Sequence, residues 1–296
     1  MKKILICTAL LFFLLTSGSF CQKGKYWVFL KDKKNVSFDP YSYFDQKTIA
    51  KRIANNIPLI DSTDFPLNEN YLDAVTARVD SVSHCSRWFN AMAVYATPEE
   101  IEDVKSFAFV SSVEPMLMEC YVSEIKNSDW DTTMDTEQME VLEKQIKTMG
   151  GDLFEKAGID GKGIRIAIFD GGFPTVDTSP VFEHIRKDGR IIKTWDFVRN
   201  KESVYAYVSH GTSVMSCIAG IVNGKKIGLA TGAEFLLART EVRSEPFSEE
   251  ENWLAAVEWA DKNGADIINS SLGYTYHRYF PDQMDGKKSL VARAGN

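Results

Sequence analysis

Histidine is scarce in this chain. The four residues are His84, His184, His210 and His277, so imidazole chemistry has few candidates. Long apolar runs are scarce too. The longest, Ile4 to Leu15, holds 12 residues, well short of the ~20 that cross a bilayer as a helix, and no stable membrane anchor is expected. Cys-x-x-Cys pairs are missing, which removes the usual spacing of zinc and thiol-redox sites. So is an excess of base: 34 Lys and Arg face 41 Asp and Glu, for a net charge of −7. That balance lacks the basic face of a general nucleic-acid binder, so no nucleic-acid partner is expected. Apolar residues at 44% and charged residues at 25% are globular proportions that exclude a disordered, collagen-like or coiled-coil chain. The 296 residues leave room for about two domains, each with its own core.

Lys2 and Lys3 precede the apolar run, and the small-residue stretch from Thr16 to Cys21 follows it. A charged start, a short apolar stretch and a small-residue exit are the parts of a secretory signal peptide, here residues 1–21. Cleavage after Cys21 puts Ser19 and Cys21 at the two positions a signal peptidase reads. Bulky Phe20 argues against Cys21 as a lipid acceptor. The mature chain is therefore expected to be secreted, periplasmic or on the cell surface. Export removes Cys7 and Cys21 and leaves Cys85, Cys120 and Cys217, an odd number in a disulfide-permissive compartment. We expect three buried thiols, with Cys85–Cys120 the one pairing worth weighing.

Two blocks follow. In the first, residues 22–120, Tyr26–Leu30 reads as a strand and Gln46–Asn55 as a helix. Asn68–Val82 is helical or mixed, and Arg87–Tyr95 alternates like a strand. Thr97, Pro98 and Glu100 form a capping box opening a helix to about Phe107, before a short strand at Phe109–Val113. That order predicts a small α+β sandwich. Residues 121–140 are acidic, with Glu124, Asp129, Asp131, Asp135, Glu137 and Glu140 against Lys126. We read 121–145 as an exposed linker and lead-in, open to proteolytic nicking.

The second block, 146–296, carries the chemistry. A turn at Gly161–Gly163 feeds Ile164–Phe169, a nearly continuous apolar run of the kind buried on both faces of a parallel sheet. It ends at Asp170-Gly171-Gly172, the strand end at which ligands and reactions gather in open α/β sheets. An aspartate there serves equally as an Asx turn. His210-Gly211-Thr212 then opens a helix rich in small residues, with Val214, Cys217 and Ile218 on one face; a histidine there is a poor choice for core filling, and a capping or surface histidine is the alternative. Ala233–Val242 reads as a strand. Ser248–Glu251 is a second capping box, Trp253, Val257 and Ala260 form a buried stripe, and Asn263-Gly264 ends that helix. Ala265–Gly273 is the next strand and its exit, completing a βαβ unit.

Asp170-Gly-Gly, His210-Gly-Thr and Asn269-Ser-Ser-Leu-Gly273, in that order, resemble the subtilisin-like serine proteases (peptidase S8) over roughly Gly161 to Gly273. The resemblance implies an α/β fold: a parallel-sheet catalytic domain, of which the N-terminal half is present, preceded by a small α+β propeptide-like domain. It implies catalytic roles for Asp170, orienting the imidazole, and for His210, general base and then acid. Ser271, Leu272 and Gly273 would pair with a protein or peptide substrate as an added strand. The chain's own propeptide is a further partner, and the family leaves room for structural calcium with no metal ligands singled out.

Three departures accompany the resemblance. Gly171 stands where Ser, Thr or Ala is usual, beside an enlarged Phe169. Met215 replaces a small residue. The family's Gly-Thr-Ser-x-(Ala or Ser) nucleophile segment does not occur; Gly211-Thr212-Ser213 belongs to the His motif. Ala294-Gly295-Asn296 copies an oxyanion-hole signature, but Ser289–Ala294 reads as the start of a crossover helix, which argues against Asn296 in that role. We expect the 296 residues alone to be an inactive, poorly soluble zymogen fragment. A pseudo-enzyme or inhibitor-like protein acting through its first domain is the alternative. A nucleotide-binding reading fails because Gly161–Gly163 precedes its strand. A metal hydrolase built on Asp170 and His210 lacks further ligands.

Overall fold

The computed structural model describes residues 23–116, 135–242, 248–273 and 284–296. The expected export signal, Cys120 and most of the acidic strip lie outside them. The first domain is a four-stranded antiparallel sheet of order β2-β3-β1-β4. Its strands are β1 (Gly24–Leu30), β2 (Ser81–Ser86), β3 (Ala91–Ala96) and β4 (Val110–Met116). Helices α1 (Gln46–Ala54), α2 (Glu69–Thr76) and α3 (Pro98–Lys105) complete it. Val28, Met92 and Val94 face the helices and pack with Val75, Ile101 and Val104. Thr97 and Glu100 form the expected capping box. Of the stretch expected as a strand over Arg87–Tyr95, the part from Ala91 is β3, whereas Arg87–Asn90 is the turn from β2, with Asn90 at φ 48°.

The stretch assigned to the linker is helical from Thr136. Asp135 and Gln138 form a capping box that starts α4 (Thr136–Thr148). The second domain's parallel sheet has the order β10-β5-β9-β6. Its strands are β5 (Arg165–Asp170), β6 (Ile191–Asp196), β9 (Glu234–Arg239) and β10 (Ile267–Ser270), with a small hairpin, β7 (Ile221–Val222) and β8 (Lys225–Lys226), beside it. The apolar run in β5 has a simple cause. Alternate side chains enter opposite cores, Ile166 and Ile168 one and Ala167 and Phe169 the other. Helix α5 (His210–Ala219) covers the first face and α6 (Ser248–Lys262) the second. The expected stripe of Trp253, Val257 and Ala260 is buried there.

The expected burial of the thiols is overturned for Cys85 and Cys217, which are both free and exposed. Cys85 lies on an edge strand. In α5 the buried face is Thr212, Met215, Ser216 and Ala219, so Cys217 points away while Val214 and Ile218 pack partly against the core.

Helix α6 is buried on its outer side as well. Leu254 packs against Trp27, Ala91 and Ala93 of the first sheet. Two of its buried acids find partners there. Glu251 pairs with Lys25 and accepts from Ser83 Oγ at 3.0 Å. Glu258 accepts from Ser86 Oγ at 2.5 Å and from the Arg87 and Trp88 amides at 3.0 and 3.4 Å. At the helix's C-terminal end, Thr48 donates to the Asp261 and Lys262 carbonyls, and Arg52 bridges Asp64 and Asp261 at 2.6 and 3.1 Å.

Burial raises the Glu258 carboxyl above its ordinary 4.5, against the pull of its donors. A raised acid binds its proton more tightly folded than unfolded, so its contribution to stability is fullest at acid pH and declines as pH rises through the folded value. We predict that Glu258→Ala, which strands three donors, lowers stability by about 2–3 kcal/mol, and that Glu258→Gln, which keeps a carbonyl, costs less. As pH rises above the ordinary carboxylate range, the Gln variant should gain on the parent in denaturant titrations as that slope disappears. Equal losses in the two variants, or parallel pH profiles, would contradict this role.

Candidate active site

Asp170, Arg239 and Asp196 end three adjacent strands in matched register, Asp170 opposite Arg239 and Asp196 opposite Arg239. Three charged side chains thus meet at the C-terminal edge of the sheet. Asp170 is fully buried. Its carboxylate accepts from the Gly171 amide at 2.7 Å, and His210 Nδ1 lies 2.9 Å from its other oxygen. Burial pushes the Asp170 carboxyl up, while His210 and the Gly171 and Gly211 amides pull it down. The His210 ring is 44% exposed. A carboxylate on Nδ1 fixes the imidazole tautomer and leaves Nε2 to take up and release protons.

The motif glycines permit this approach. A Cβ on Gly211 would meet the Gly172 carbonyl at 2.4 Å and Asp170 Cβ at 2.8 Å. Gly172, at φ 148°, would drive a Cβ to 2.2 Å from the Ala206 carbonyl. Gly171 faces Val208, whose Cβ would lie 3.2 Å from an added methyl, so the valine fills space that a larger residue at 171 would need. Enlarged Phe169 packs edge-on to Trp253, with ring centres 6.0 Å apart. Met215 is wholly buried.

Ser271, Leu272 and Gly273 continue from β10, whose Ser270 pairs with Phe169, so they lie beside the Asp170 end of the sheet. Ser271 and Gly273 are exposed, and Trp253 Nε1 anchors the strand end through Ser270 Oγ at 2.9 Å. Asn296 follows a helix, α7 (Leu290–Gly295), as expected, and its amide donates to the Gly286 carbonyl at 3.2 Å. Among the described residues no group of three or more His, Cys, Asp or Glu converges. Arg239, Asp196 and Tyr207 were not singled out from sequence. The available signal is an arginine within an apolar strand, three residues before its expected end at Val242.

A model of the peptidase S8 propeptide domain of Bacteroidota matches residues 25–133, and the subtilase family model matches residues 161–296. Residues 161–296 belong to the subtilase family. The propeptide match takes in nearly all of the first sheet, and the subtilase match contains Asp170, His210 and Ser271–Gly273. The minor extracellular protease Epr of Bacillus subtilis is 26% identical over 216 residues, which cover 70% of this chain and 31% of that protein. The minor extracellular protease Vpr of the same organism is 35% identical over 127 residues, 39% of this chain and 14% of that protein. The chain thus spans less than a third of the length of these relatives. Fervidolysin from Fervidobacterium pennivorans, a keratinolytic enzyme related to subtilisin, matches at 17% identity and a TM-score of 0.48, over 88% of this chain and 37% of that one. The epidermin leader peptide processing serine protease of Staphylococcus aureus matches at 14% and 0.44, over 92% and 55%. No helix among the described residues is long and apolar enough to cross a membrane.

The contacts of the subtilase motif's glycines predict unequal tolerance. Gly211→Ala forces backbone apart and should cost about 2–3 kcal/mol, whereas Gly171→Ala asks Val208 to yield a few tenths of an ångström and should cost under about 1 kcal/mol. Thermal melts of the two variants check this ranking, and equal melting temperatures would refute it.

Proposed function

We propose that the chain is part of an exported serine endopeptidase, that Asp170 and His210 are two members of an Asp–His–Ser triad, and that residues 22–120 are its propeptide. The observation that carries this is the 2.9 Å contact of His210 Nδ1 with the buried Asp170 carboxylate. Asp170 holds the ring and stabilises its protonated form, and Nε2 takes the nucleophile's proton and returns it to the leaving amine. Substrate backbone pairs with Ser271–Gly273 as an added strand, next to the reacting groups. Export is supported by the charged, apolar and small-residue segments before Gln22, and by the two Bacillus relatives being named extracellular proteases.

The nucleophile is assigned to a Gly-Thr-Ser-x-(Ala or Ser) segment outside these 296 residues. Ser213, in the similar Gly211-Thr212-Ser213, lies within α5 and donates to the Ser209 carbonyl at 3.4 Å. The test is to read the coding DNA past codon 296 and express the frame to its natural stop. We expect hydrolysis of casein that an organophosphorus serine reagent blocks. Asp170→Asn should lower kcat about ten-thousandfold and His210→Ala about a millionfold, with little change in KM. Undiminished hydrolysis in either variant, or a frame without that motif, would overturn the proposal.

A further inference from the structure

Arg239 joins the two segments that carry the Asp–His pair. Its side chain is buried in the sheet edge, with 5% of its surface exposed. Nε donates to the Gly171 carbonyl at 3.0 Å, one residue beyond Asp170. Nη1 reaches both Asp196 oxygens, at 3.2 and 3.1 Å. The flat face of the guanidinium stacks on Tyr207, 3.8 Å from the ring centre and three residues before His210.

Each of these partners is itself held. Asp196 accepts from the Val198 and Arg199 amides at 3.0 Å each. Tyr207 adopts φ 76°, a strained setting for a bulky side chain, and its backbone bridges to Gly172. A residue at that φ persists only where its surroundings over-determine it. Here the surroundings are the backbone bridge and three cations over the ring, of which the Arg239 guanidinium is nearest, with Arg199 and Lys201 at 4.7 and 5.4 Å from the ring centre. A planar fork can donate along one edge, clamp a carboxylate along another and stack through its face; an ammonium cannot do all three.

We propose that Arg239 is a positioning residue: it ties the segment leaving Asp170 to the segment entering His210 and so maintains their hydrogen bond. This rests on reading Asp170 and His210 as the working pair. Arg239 touches neither reacting group, and its effect passes through Gly171 and Tyr207.

The test is proton NMR of the full chain with labelled histidine, following the downfield Nδ1 proton of His210, with Asp170→Asn as the reference for a lost bond. Arg239→Lys keeps a cation beside Asp196 but forfeits the fork and the stack. The double variant Arg239→Met/Asp196→Asn leaves no unpaired buried charge and keeps the oxygen that accepts from Val198 and Arg199, so it preserves the fold if the lysine variant melts. In both, the Nδ1 proton should exchange with water about tenfold faster than in the parent, the scale of one weakened hydrogen bond, while cooperative melting persists. Unchanged exchange in the folded variants would overturn the role of Arg239 and leave the Asp–His pair standing. A parent with no Asp170-dependent resonance would overturn that pair and this inference together.

Discussion

Helix α6 is packed on two sides, and much of the structure follows from that. One side carries Trp253, Val257 and Ala260 onto the parallel sheet, and the other carries Leu254 onto the first domain. A helix in this position has nowhere to expose its acids, yet it begins Ser-Glu-Glu-Glu and places Glu258 a further two turns along. Buried carboxylates must find charge or donors close by. For Glu251 and Glu258, Lys25, Ser83, Ser86 and two backbone amides of the first domain supply them, while Glu249 accepts from the Val242 amide at 2.8 Å. The macrodipole adds a second constraint. Acids suit the start of α6, and the end needs donors; Thr48, with the Asp45 amide, satisfies the carbonyls there. The first domain therefore completes the packing of the second.

The same sheet holds the candidate site at its C-terminal edge. Close approach is what makes it work. Glycines at 172 and 211 let the loop after β5 and the first turn of α5 pass within backbone contact, which brings the imidazole onto a carboxylate that is otherwise sealed from water. A buried acid pushed upward by desolvation is retained as an acceptor because three donors converge on it.

Much of this was legible in the sequence where local chemistry decides the outcome. The alternation of β5 between two cores reads directly from Ile-Ala-Ile-Phe, and Thr97 with Glu100 announces a helix start. Ser289 likewise marks α7, which separates Asn296 from a strand. What escaped depends on partners far along the chain. Glu251 reads as the acid of a capping box and Glu258 as an ordinary surface acid, because the groups that accommodate them lie about 170 residues earlier. The strand β2, Ser-Val-Ser-His-Cys-Ser, has a weak apolar pattern because it is an edge, and the same location leaves Cys85 exposed. Cys217 reads as buried because it shares a helical face with Val214 and Ile218, which pack only partly against the core. Arg239 was read as part of a strand, its role visible only once β5 and β6 flank β9.

The central claim is that the first domain and α6 are one cooperative unit. Native-state hydrogen exchange on the full chain, compared between the parent and Glu258→Ala, tests it most directly. The account predicts that the amides of β2, β3 and α6 lose protection together and by similar factors. Loss confined to β2 and β3, with α6 as protected as in the parent, would contradict it.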